Sequence, residues 1–297
     1  MKPIENISQL LEKIEGAYAD NTIRAYRRNL MNFQTYCQQT HQVFLPATTD
    51  ALVGFIDHLL QQNLSAHYIR RHMTAIAHLY RMSRYPDPTL DPEIKLAMRR
   101  VFRQQGRFQK QTYPIQQEQI ERMLSTLGND LYSHRDRVLL LIAYENLLRR
   151  SELISLRMED LKPLDHPQYC AKILLRKSKT DPFKEGRWLY LTQETFTAIN
   201  TWIKAANIKQ GYLLRGIRKG NHLTQQLTGC QVNKILKKRA VDAGLTKEAV
   251  DHISGHSIRV GAAQDLCLRG LSLPQIMAKG RWVKTETLMR YIEHTII

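Results

Sequence analysis

The sequence predicts a mainly α fold: an all-α N-terminal domain, followed by a mostly α second domain that contains one small β-hairpin or sheet. Three observations lead to this prediction. Apolar residues recur at spacings of three and four along most of the chain, which is the period of an amphipathic helix. Only residues 170–192 show two short apolar runs around a polar turn, the pattern of a hairpin. At the junction of the two predicted domains, residues 95–112 contain six basic residues and no acidic one.

The sequence pattern of the N-terminal region predicts five helices. The first covers Ile7 to Ile14, and the second follows Asn21 with a regular apolar stripe. The third runs from Thr48 to Leu60, and the fourth starts at Ser65. Asp91 followed by Pro92 is typical of an N-cap with proline at the first helical position, so it opens the fifth. We assign residues 1–103 to the N-terminal domain, residues 104–113 to a basic linker and residues 114–297 to the second domain.

The second domain predicts a helix around Ile120, a buried apolar helix from Arg137 to Leu148, and two strands. The strands are predicted at Ala171–Arg176 and Arg187–Leu191, and two further helices are predicted at Thr192–Ala206 and Thr228–Ala243. Three short helices complete the chain. The first lies between Gly255 and Gly270. The second runs from Ser272 and Pro274 to Gly280, and the third starts at Thr285 with Tyr291 in its middle.

The charge balance points to a polyanionic partner. The chain has 297 residues, with 44 Lys and Arg against 27 Asp and Glu, a formal charge of +17, so nucleic acid is the first candidate. A membrane partner is not expected, because no stretch has the length of an apolar span and no signal peptide opens the chain. The four cysteines form no Cys-x-x-Cys pair, which excludes a zinc ribbon and indicates a reducing cytoplasm.

Several arginines of the first domain lie off the apolar stripes of their helices, where they could contact phosphates or could simply be solvated. Adding the basic residues that lead into and along the linker, the candidate DNA-binding residues are Arg24, Arg27, Arg28, Arg70, Arg71, Arg81, Arg99, Arg100, Arg103, Arg107 and Lys110.

The last fifth of the chain combines residues that suit chemistry on a phosphodiester. His256 and Arg259 are three apart and share one helix face, and Trp282 and Tyr291 follow. A tyrosine hydroxyl, with a pKa near ~10, becomes a useful nucleophile when arginines hold an anionic target and a base lies nearby. Guanidinium forks match the oxygens of such a target. The alternative is that the aromatic residues are core residues and that Arg259 is a surface charge.

These residues resemble a known signature. The run His256-Ser-Ile-Arg259-Val-Gly-Ala-Ala, with Trp282 and Tyr291 downstream, is similar to the C-terminal motif of the tyrosine site-specific recombinases, a phage integrase-like family. Within that family the Cre-like members resemble this chain most, since Xer-type members usually have a second histidine at the position of Trp282. The resemblance covers nearly the full length. It implies a core-binding domain that grips one side of DNA and a catalytic domain that closes on the other.

The resemblance also assigns roles. It implies that Tyr291 attacks the scissile phosphate and forms a 3′-phosphotyrosyl link. It implies that Arg259 holds non-bridging oxygens, that His256 is a base or hydrogen-bond donor, and that Trp282 donates its indole N–H. No metal, cofactor or ATP is implied, and the sequence shows no glycine-rich phosphate loop and no His-Glu-x-x-His motif.

For two of the predicted catalytic residues, a neighbouring residue of the same type is an alternative. Two arginines directly follow a buried apolar run, which is costly unless an anion pairs with them. They could form an internal salt bridge with Glu152 or Asp160. Alternatively, one could hold phosphate with Glu152 orienting its neighbours. The family pattern favours Arg149, and Arg150 is the alternative.

The second assignment concerns the turn of the hairpin. The family places a catalytic lysine in this region, which matches Lys179 as the general acid for the leaving 5′ oxygen. Lys177 is the alternative if the register differs.

By the same resemblance the partner is double-stranded DNA with inverted-repeat arms around a spacer. Four protomers acting on two sites would form a Holliday junction. A type IB topoisomerase-like enzyme and a catalytically inactive DNA-binding relative are the alternative functions. Six residues follow Tyr291, and we hypothesise that Thr295–Ile297 insert into a neighbouring subunit.

Overall fold

The computed structural model of the chain describes residues 6–106, 111–178, 181 and 185–295. The chain divides into two compact units, Met1–Lys110 and Gln111–Ile297. This division falls inside the segment that the sequence predicts as the linker. Several predicted functional residues (Arg107, Lys110, Lys179, Ile296 and Ile297) lie outside the described residues.

The N-terminal unit contains the five predicted helices, and no strand is found in its described part. They are α1 (Ile7–Ile14), α2 (Asp20–Gln39), α3 (Thr49–Gln61), α4 (Ala66–Ser83) and α5 (Pro92–Gln105). The prediction of an all-α N-terminal domain is confirmed.

Side-chain caps fix where three of these helices begin. The hydroxyls of Thr48 and Ser65 accept hydrogen bonds from backbone N–H groups in the first turns of α3 and α4. The carboxylate of Asp91 accepts from the N–H of Glu93 at 2.8 Å, directly before α5. The sequence predicted Asp91 as a cap, and it predicted Thr48 and Ser65 as the positions where their helices begin.

The predicted apolar stripes form the core of this unit. Leu30, Phe33, Phe55, Ile69 and Ile76 are almost fully buried, and the Phe33 and Phe55 rings lie 5.0 Å apart between centroids. Because each helix buries one face, its opposite face carries the basic side chains.

The second unit is mostly helical, as predicted. Its helices are α6 (Gln117–Ser125), α7 (Leu131–Glu145), α8 (Arg150–Leu153), α9 (Gln193–Ala205), α10 (Gly229–Asp242), α11 (Lys247–His252), α12 (Ser257–Leu268), α13 (Leu273–Gly280) and α14 (Thr285–Ile292). A three-stranded antiparallel sheet consists of β1 (Leu161–Pro163), β2 (Ala171–Leu175) and β3 (Arg187–Leu191), in that spatial order. The buried face of the sheet packs on α9, whose Trp202 is fully buried.

Four details differ from the sequence prediction. Strand β1, which pairs Leu161 with Ile173, was not predicted, because three residues give no period. The short helices α8 and α11 were missed for the same reason. Helix α7 begins at Leu131, six residues earlier than predicted, because Asp130 caps it. It ends at Glu145 rather than at Leu148, because Leu147 adopts a left-handed conformation with φ of 48°.

Helix α12 packs unusually closely against the start of the second unit. The N–H of Ile115 donates to the carbonyl of Ser257 at 3.0 Å, and a Cβ added at Gly261 would overlap with the carbonyl group of Ile115. Backbone atoms cannot rotate away as a side chain can. The position of α12 therefore depends on glycine at 261.

We predict that Gly261→Ala lowers the free energy of unfolding by about 2–3 kcal/mol, because the added methyl forces the two backbones apart. Gly128→Ala is the matched control, since its Cβ would meet only Asp130 Oδ2 at 3.7 Å. The control should change stability by less than about 1 kcal/mol. Urea denaturation of both variants measures the difference. Equal midpoints for the two variants would contradict the close approach at Gly261.

Candidate active site

The predicted site residues meet where α12, α13 and α14 pack against the end of α7. These three helices form a small apolar core around Leu147, separate from the main core of the unit. Ile276, Leu288 and Ile292 are fully buried in it. The functional side chains lie at the edges of this core, so its packing fixes their positions.

The backbone at the end of α7 presents two carbonyl groups to arginines. Asn146 caps the helix and Leu147 follows in the left-handed region. The Leu147 carbonyl accepts a hydrogen bond from Nη1 of Arg259 and one at 3.3 Å from Nη2 of Arg281. The Asn146 carbonyl accepts from the same Nη2 of Arg281 at 3.0 Å. The negative end of a helix favours cations, which helps to explain how two guanidinium groups can be buried here.

Arg259 lies in the first turn of α12 and is one of the largest fully buried side chains of the described chain. Its Nη2 donates to the Gly280 carbonyl, and its guanidinium carbon lies 4.0 Å from the centroid of the Trp282 ring. The alternative that Arg259 is a surface charge is therefore wrong. A charge buried this deeply, whose direct partners among the described residues are carbonyls and a π face, suits an anionic ligand.

Arg149 and Glu152 form the second part of the site. Arg149 precedes α8 and its Nη1 contacts Glu152 Oε1 at 2.6 Å, while its backbone N–H donates to Glu152 Oε2 at 3.0 Å. The Glu152 side chain is 1% exposed and that of Arg149 is 14% exposed. Asp160, the other anion considered for this arginine, instead makes a bidentate pair with Arg176.

Arg150 points elsewhere. Its side chain passes along Gly229 and Gly255, where an added Cβ would meet its Nε and Cδ atoms at 3.0 and 2.7 Å. Residue 255 directly precedes His256, which is exposed at the N-terminus of α12. Arg149, rather than Arg150, thus belongs to the cluster with Glu152 and Arg259.

Arg281 was not singled out from the sequence. Its Nη2 contacts Glu152 Oε2 at 3.1 Å, and its side chain is 7% exposed. An arginine just after a helix-ending glycine such as Gly280 is usually a solvated cap residue. The one weak signal for Arg281 in the sequence is its position directly before Trp282.

The pKa shifts follow from this crowding. Burial and then the nearby charge of Arg149 lower the pKa of the Arg259 guanidinium to about 9, with Glu152 offsetting part of the effect. Burial alone would raise the pKa of Glu152, but Arg281 and then Arg149 bring it below its usual value. At neutral pH the cluster therefore holds three cations and one carboxylate.

Elsewhere in the unit, a second charge cluster gives every cation a carboxylate partner. Asp136 lies between Arg135 and Arg239, with oxygen to nitrogen distances of 2.6 and 2.7 Å, and Asp242 contacts Arg239 at 3.1 Å. Lys238 also contacts Asp242, at 2.8 Å, so three cations face two anions there and each cation has a carboxylate in direct contact. The cluster around Glu152 has three cations for one anion in the described residues, so it lacks two negative charges.

Tyr291 lies next to this positive cluster, in the last turn of α14 rather than in the middle of the helix as predicted. Its ring meets the Trp282 ring edge-on, with centroids 5.9 Å apart, and Gln264 donates to its backbone carbonyl at 2.9 Å. Trp282 is thus stacked between Arg259 and Tyr291. A Cβ at Gly280 would overlap with the Trp282 ring, so glycine is required for this stacking.

The hairpin between β2 and β3 is described in part. Lys177 is exposed, and Ser178 pairs with Asp181, whose carboxylate accepts from the N–H groups of Glu185 and Gly186. Because Lys179 lies outside the described residues, the choice between Lys179 and Lys177 stays a prediction.

The candidate DNA-binding arginines of the N-terminal unit are on its surface. Those within the described residues are all exposed: Arg24, Arg27, Arg28, Arg70, Arg71, Arg81, Arg99, Arg100 and Arg103. Burial lowers the pKa of His72, and the charges of Arg28 on α2 and Arg71 on α4 lower it further. Arg81 contacts Asp87 at 3.5 Å, so its charge is partly compensated.

The one carboxylate of the cluster is held by arginine donors. Both oxygens of Glu152 are occupied by arginine donors, and no group of three His, Cys, Asp or Glu side chains comes together in the described part of the chain. In those same parts, every helix is too short or too polar to cross a bilayer.

Comparisons with known proteins agree with the fold. The model of the phage integrase family matches residues 114–296, and that of the N-terminal SAM-like domain of phage integrases matches residues 8–84. The XerH site-specific recombinase bound to palindromic difH substrate has a TM-score of 0.67 at 16% identity, covering 98% of this chain and 82% of that one. The Tn1549 transposon integrase with circular intermediate DNA has a TM-score of 0.65 at 15% identity, covering 97% and 95%. At such identities the likeness shows the fold.

Two relatives extend the comparison to sequence. An integrase/recombinase xerD homolog of Selenomonas ruminantium is 29% identical, covering 98% of this chain and 87% of the relative. The Cre recombinase of Escherichia phage P1 is 24% identical, covering 94% and 85%. Cre is thus a relative, but the prediction that it is the most similar one is wrong. Because the integrase model spans more than half of the 297 residues, the chain belongs to the phage integrase family of tyrosine recombinases.

Proposed function

We propose that the chain is a site-specific DNA recombinase that cleaves and rejoins strands through a 3′-phosphotyrosyl intermediate. One observation carries the proposal: a buried arginine cluster that lacks two negative charges lies one aromatic ring away from Tyr291. A phosphodiester brings one negative charge, and attack by a phenolate adds a second in the transition state. The relatives named as recombinases and integrases support the same activity.

The reaction balances without an external cofactor. The Tyr291 oxygen forms a bond to phosphorus while the bond from phosphorus to the 5′ oxygen breaks. His256 accepts the phenolic proton; if His256 instead donates a hydrogen bond to a phosphate oxygen, solvent water takes that proton. Lys179 gives a proton to the leaving 5′ oxygen. The phosphotyrosine conserves the energy of the diester, so the 5′ hydroxyl of a partner strand can reverse the step without ATP or a metal ion.

Arg149 and Arg259 would hold the two non-bridging oxygens in this reaction, with the Trp282 indole N–H as a further donor. Glu152 orients Arg149 through its side chain and its backbone N–H. We further propose that the substrate is double-stranded DNA with inverted-repeat arms around a spacer. A homotetramer would join two sites through a Holliday junction in the cytoplasm.

Two assays separate this function from its alternatives. A nicked suicide substrate traps a covalent adduct with any active enzyme but not with an inactive DNA-binding relative. Strand exchange between two sites then separates a recombinase from a type IB topoisomerase-like enzyme, which acts as a monomer. Cleavage without strand exchange would favour the topoisomerase.

We predict that Tyr291→Phe binds DNA as the wild type does but forms no covalent adduct, because only the nucleophilic oxygen is lost. Denaturing gel electrophoresis of the suicide-substrate reaction measures the adduct. Tyr144 is the one other tyrosine that we would consider. Its hydroxyl donates to Asp265 Oδ2 at 2.6 Å, and burial and this contact raise its pKa, so it is a poor substitute. An adduct with Tyr291→Phe would move the nucleophile elsewhere.

We predict that Lys179→Ala cleaves ordinary DNA about 10²–10⁴ times more slowly, the usual contribution of a general acid. A bridging 5′-phosphorothiolate substrate, whose leaving group needs no proton, should restore most of the rate. Lys177→Ala, tested in parallel on both substrates, serves as the matched control. Rescue of Lys177→Ala instead of Lys179→Ala would reverse the assignment of the general acid.

We predict that Arg28→Ala together with Arg71→Ala weakens DNA binding and flattens its salt dependence. Each lost phosphate contact should reduce the slope of log K against log salt concentration by about 1. Lys13→Ala removes an exposed charge from α1 of the same unit and serves as the control. Fluorescence anisotropy between 50 and 200 mM salt, the range over which such contacts show, gives both slopes. An unchanged slope in the double variant would place the DNA on another face.

A further inference from the structure

Arg281 has no role in the chemistry proposed above, yet it contacts the buried carboxylate of the site and three backbone carbonyls around it. Its Nη2 reaches Glu152 Oε2 at 3.1 Å, the Asn146 carbonyl at 3.0 Å and the Leu147 carbonyl at 3.3 Å. Its Nη1 donates to the Lys279 carbonyl at 3.1 Å. The Arg281 backbone is left-handed, with φ of 58°, at the end of α13. One side chain thus ties the ends of α7 and α13 to the start of α8.

We propose that Arg281 is a positioning residue that aligns the two phosphate-binding arginines, an inference that rests on the proposed function. It reaches Arg149 through Glu152, because each guanidinium holds one oxygen of that carboxylate. It reaches Arg259 through the Leu147 carbonyl, which both side chains share. Loss of Arg281 would therefore disturb both arginines at once.

Arg281 also sets the charge that the site offers to a phosphate. Arg149, Arg259 and Arg281 carry three positive charges and Glu152 carries one negative charge, which leaves two. Without Arg281, Glu152 would cancel the charge of Arg149, and only one positive charge would remain for a transition state that carries two negative charges. Arg281 thus compensates Glu152, so that the charges of Arg149 and Arg259 remain available to the substrate.

A direct role on the phosphate fits the structure less well. The Arg281 side chain is 7% exposed, and its Nε is buried without a hydrogen-bond partner in the described residues. Its Nη2 is shared among three acceptors, Glu152 Oε2 and the carbonyls of Asn146 and Leu147. Each terminal nitrogen of Arg259, in contrast, has one hydrogen-bond acceptor among the described residues. An Nη2 group that is already shared in this way supports its neighbours rather than reaching a ligand.

Single-turnover cleavage of the suicide substrate at saturating protein tests the proposal. Arg281→Gln should cleave on the order of 100 times more slowly, the effect expected of a misplacement near 1 Å. Its Kd for DNA should stay within about threefold of the wild type, because the DNA-binding surface is unchanged. Arg281→Lys keeps the charge but not the fork and should recover part of the rate. Arg269→Gln, an exposed arginine of the same unit that contacts Gln117, is the matched control and should cleave normally.

A second substrate distinguishes positioning from a general loss of structure. A methylphosphonate at the scissile position has one fewer negative charge, so the compensated charge of the site matters less. The defect of Arg281→Gln should shrink there to less than about tenfold. A wild-type rate for Arg281→Gln on the normal substrate would overturn the proposal. An equal defect on both substrates would also overturn it, because it would indicate a merely structural role.

Failure of the proposed function would appear in the wild type, as the absence of any covalent adduct. The inference can still be tested in that case by ¹³C NMR titration of the Glu152 carboxyl, assigned with Glu152→Gln. The pKa of Glu152 should be higher in Arg281→Gln than in the wild type, because Arg281 is the strongest influence that lowers it. An unchanged Glu152 pKa would overturn the pairing on which the proposal depends.

Discussion

The buried carboxylate of Glu152 is the contact on which the rest of the candidate site depends. A carboxylate that is 1% exposed is stable only when cations and N–H groups surround it. Arg149 satisfies it from one side and Arg281 from the other. In return, the carboxylate fixes the start of α8 and the end of α13. Trp282 directly follows Arg281, so the stacking of Trp282 on Arg259 and against Tyr291 depends on the same contact.

Two buried charge clusters in this unit illustrate the difference between stabilising and functional arrangements. Around Asp136 each of three cations contacts a carboxylate directly. Around Glu152 three cations share one carboxylate, and among the described residues Arg259 has carbonyls and a tryptophan face instead of a carboxylate in direct contact. An uncompensated buried cation costs free energy of folding. Such a cost is commonly retained where a ligand supplies the missing charge.

The sequence predicted most of the fold because its local signals agree with the tertiary structure. Side chains such as Thr48, Ser65 and Asp91 mark helix starts, and the spacing of apolar residues marks buried faces. Strand β1 was missed because it is held by pairing with β2, and α8 and α11 were missed because four to six residues are too few to show a helical period. The chemically distinctive residues of the site were predicted through a family resemblance, but Arg281 was not. Its importance arises from contacts with Asn146, Leu147 and Glu152, which are more than 120 residues away in sequence and which no local spacing reveals.

The site thus combines a rigid support with an incomplete charge balance, and the two properties require each other. Like-charged guanidinium groups repel, so they stay together only if backbone carbonyls and packed side chains hold them. The left-handed turn at Leu147 provides the carbonyls, and the small core of α12, α13 and α14 provides the packing. Because the arginines are already in place, an incoming phosphate need not reorganise them, and preorganised charge of this kind lowers a reaction barrier most effectively. This arrangement lowers the stability of the region around α12 and α13. A Cβ at Gly261 or at Gly280 would overlap with neighbouring atoms there, so neither glycine can be replaced without a shift of the structure.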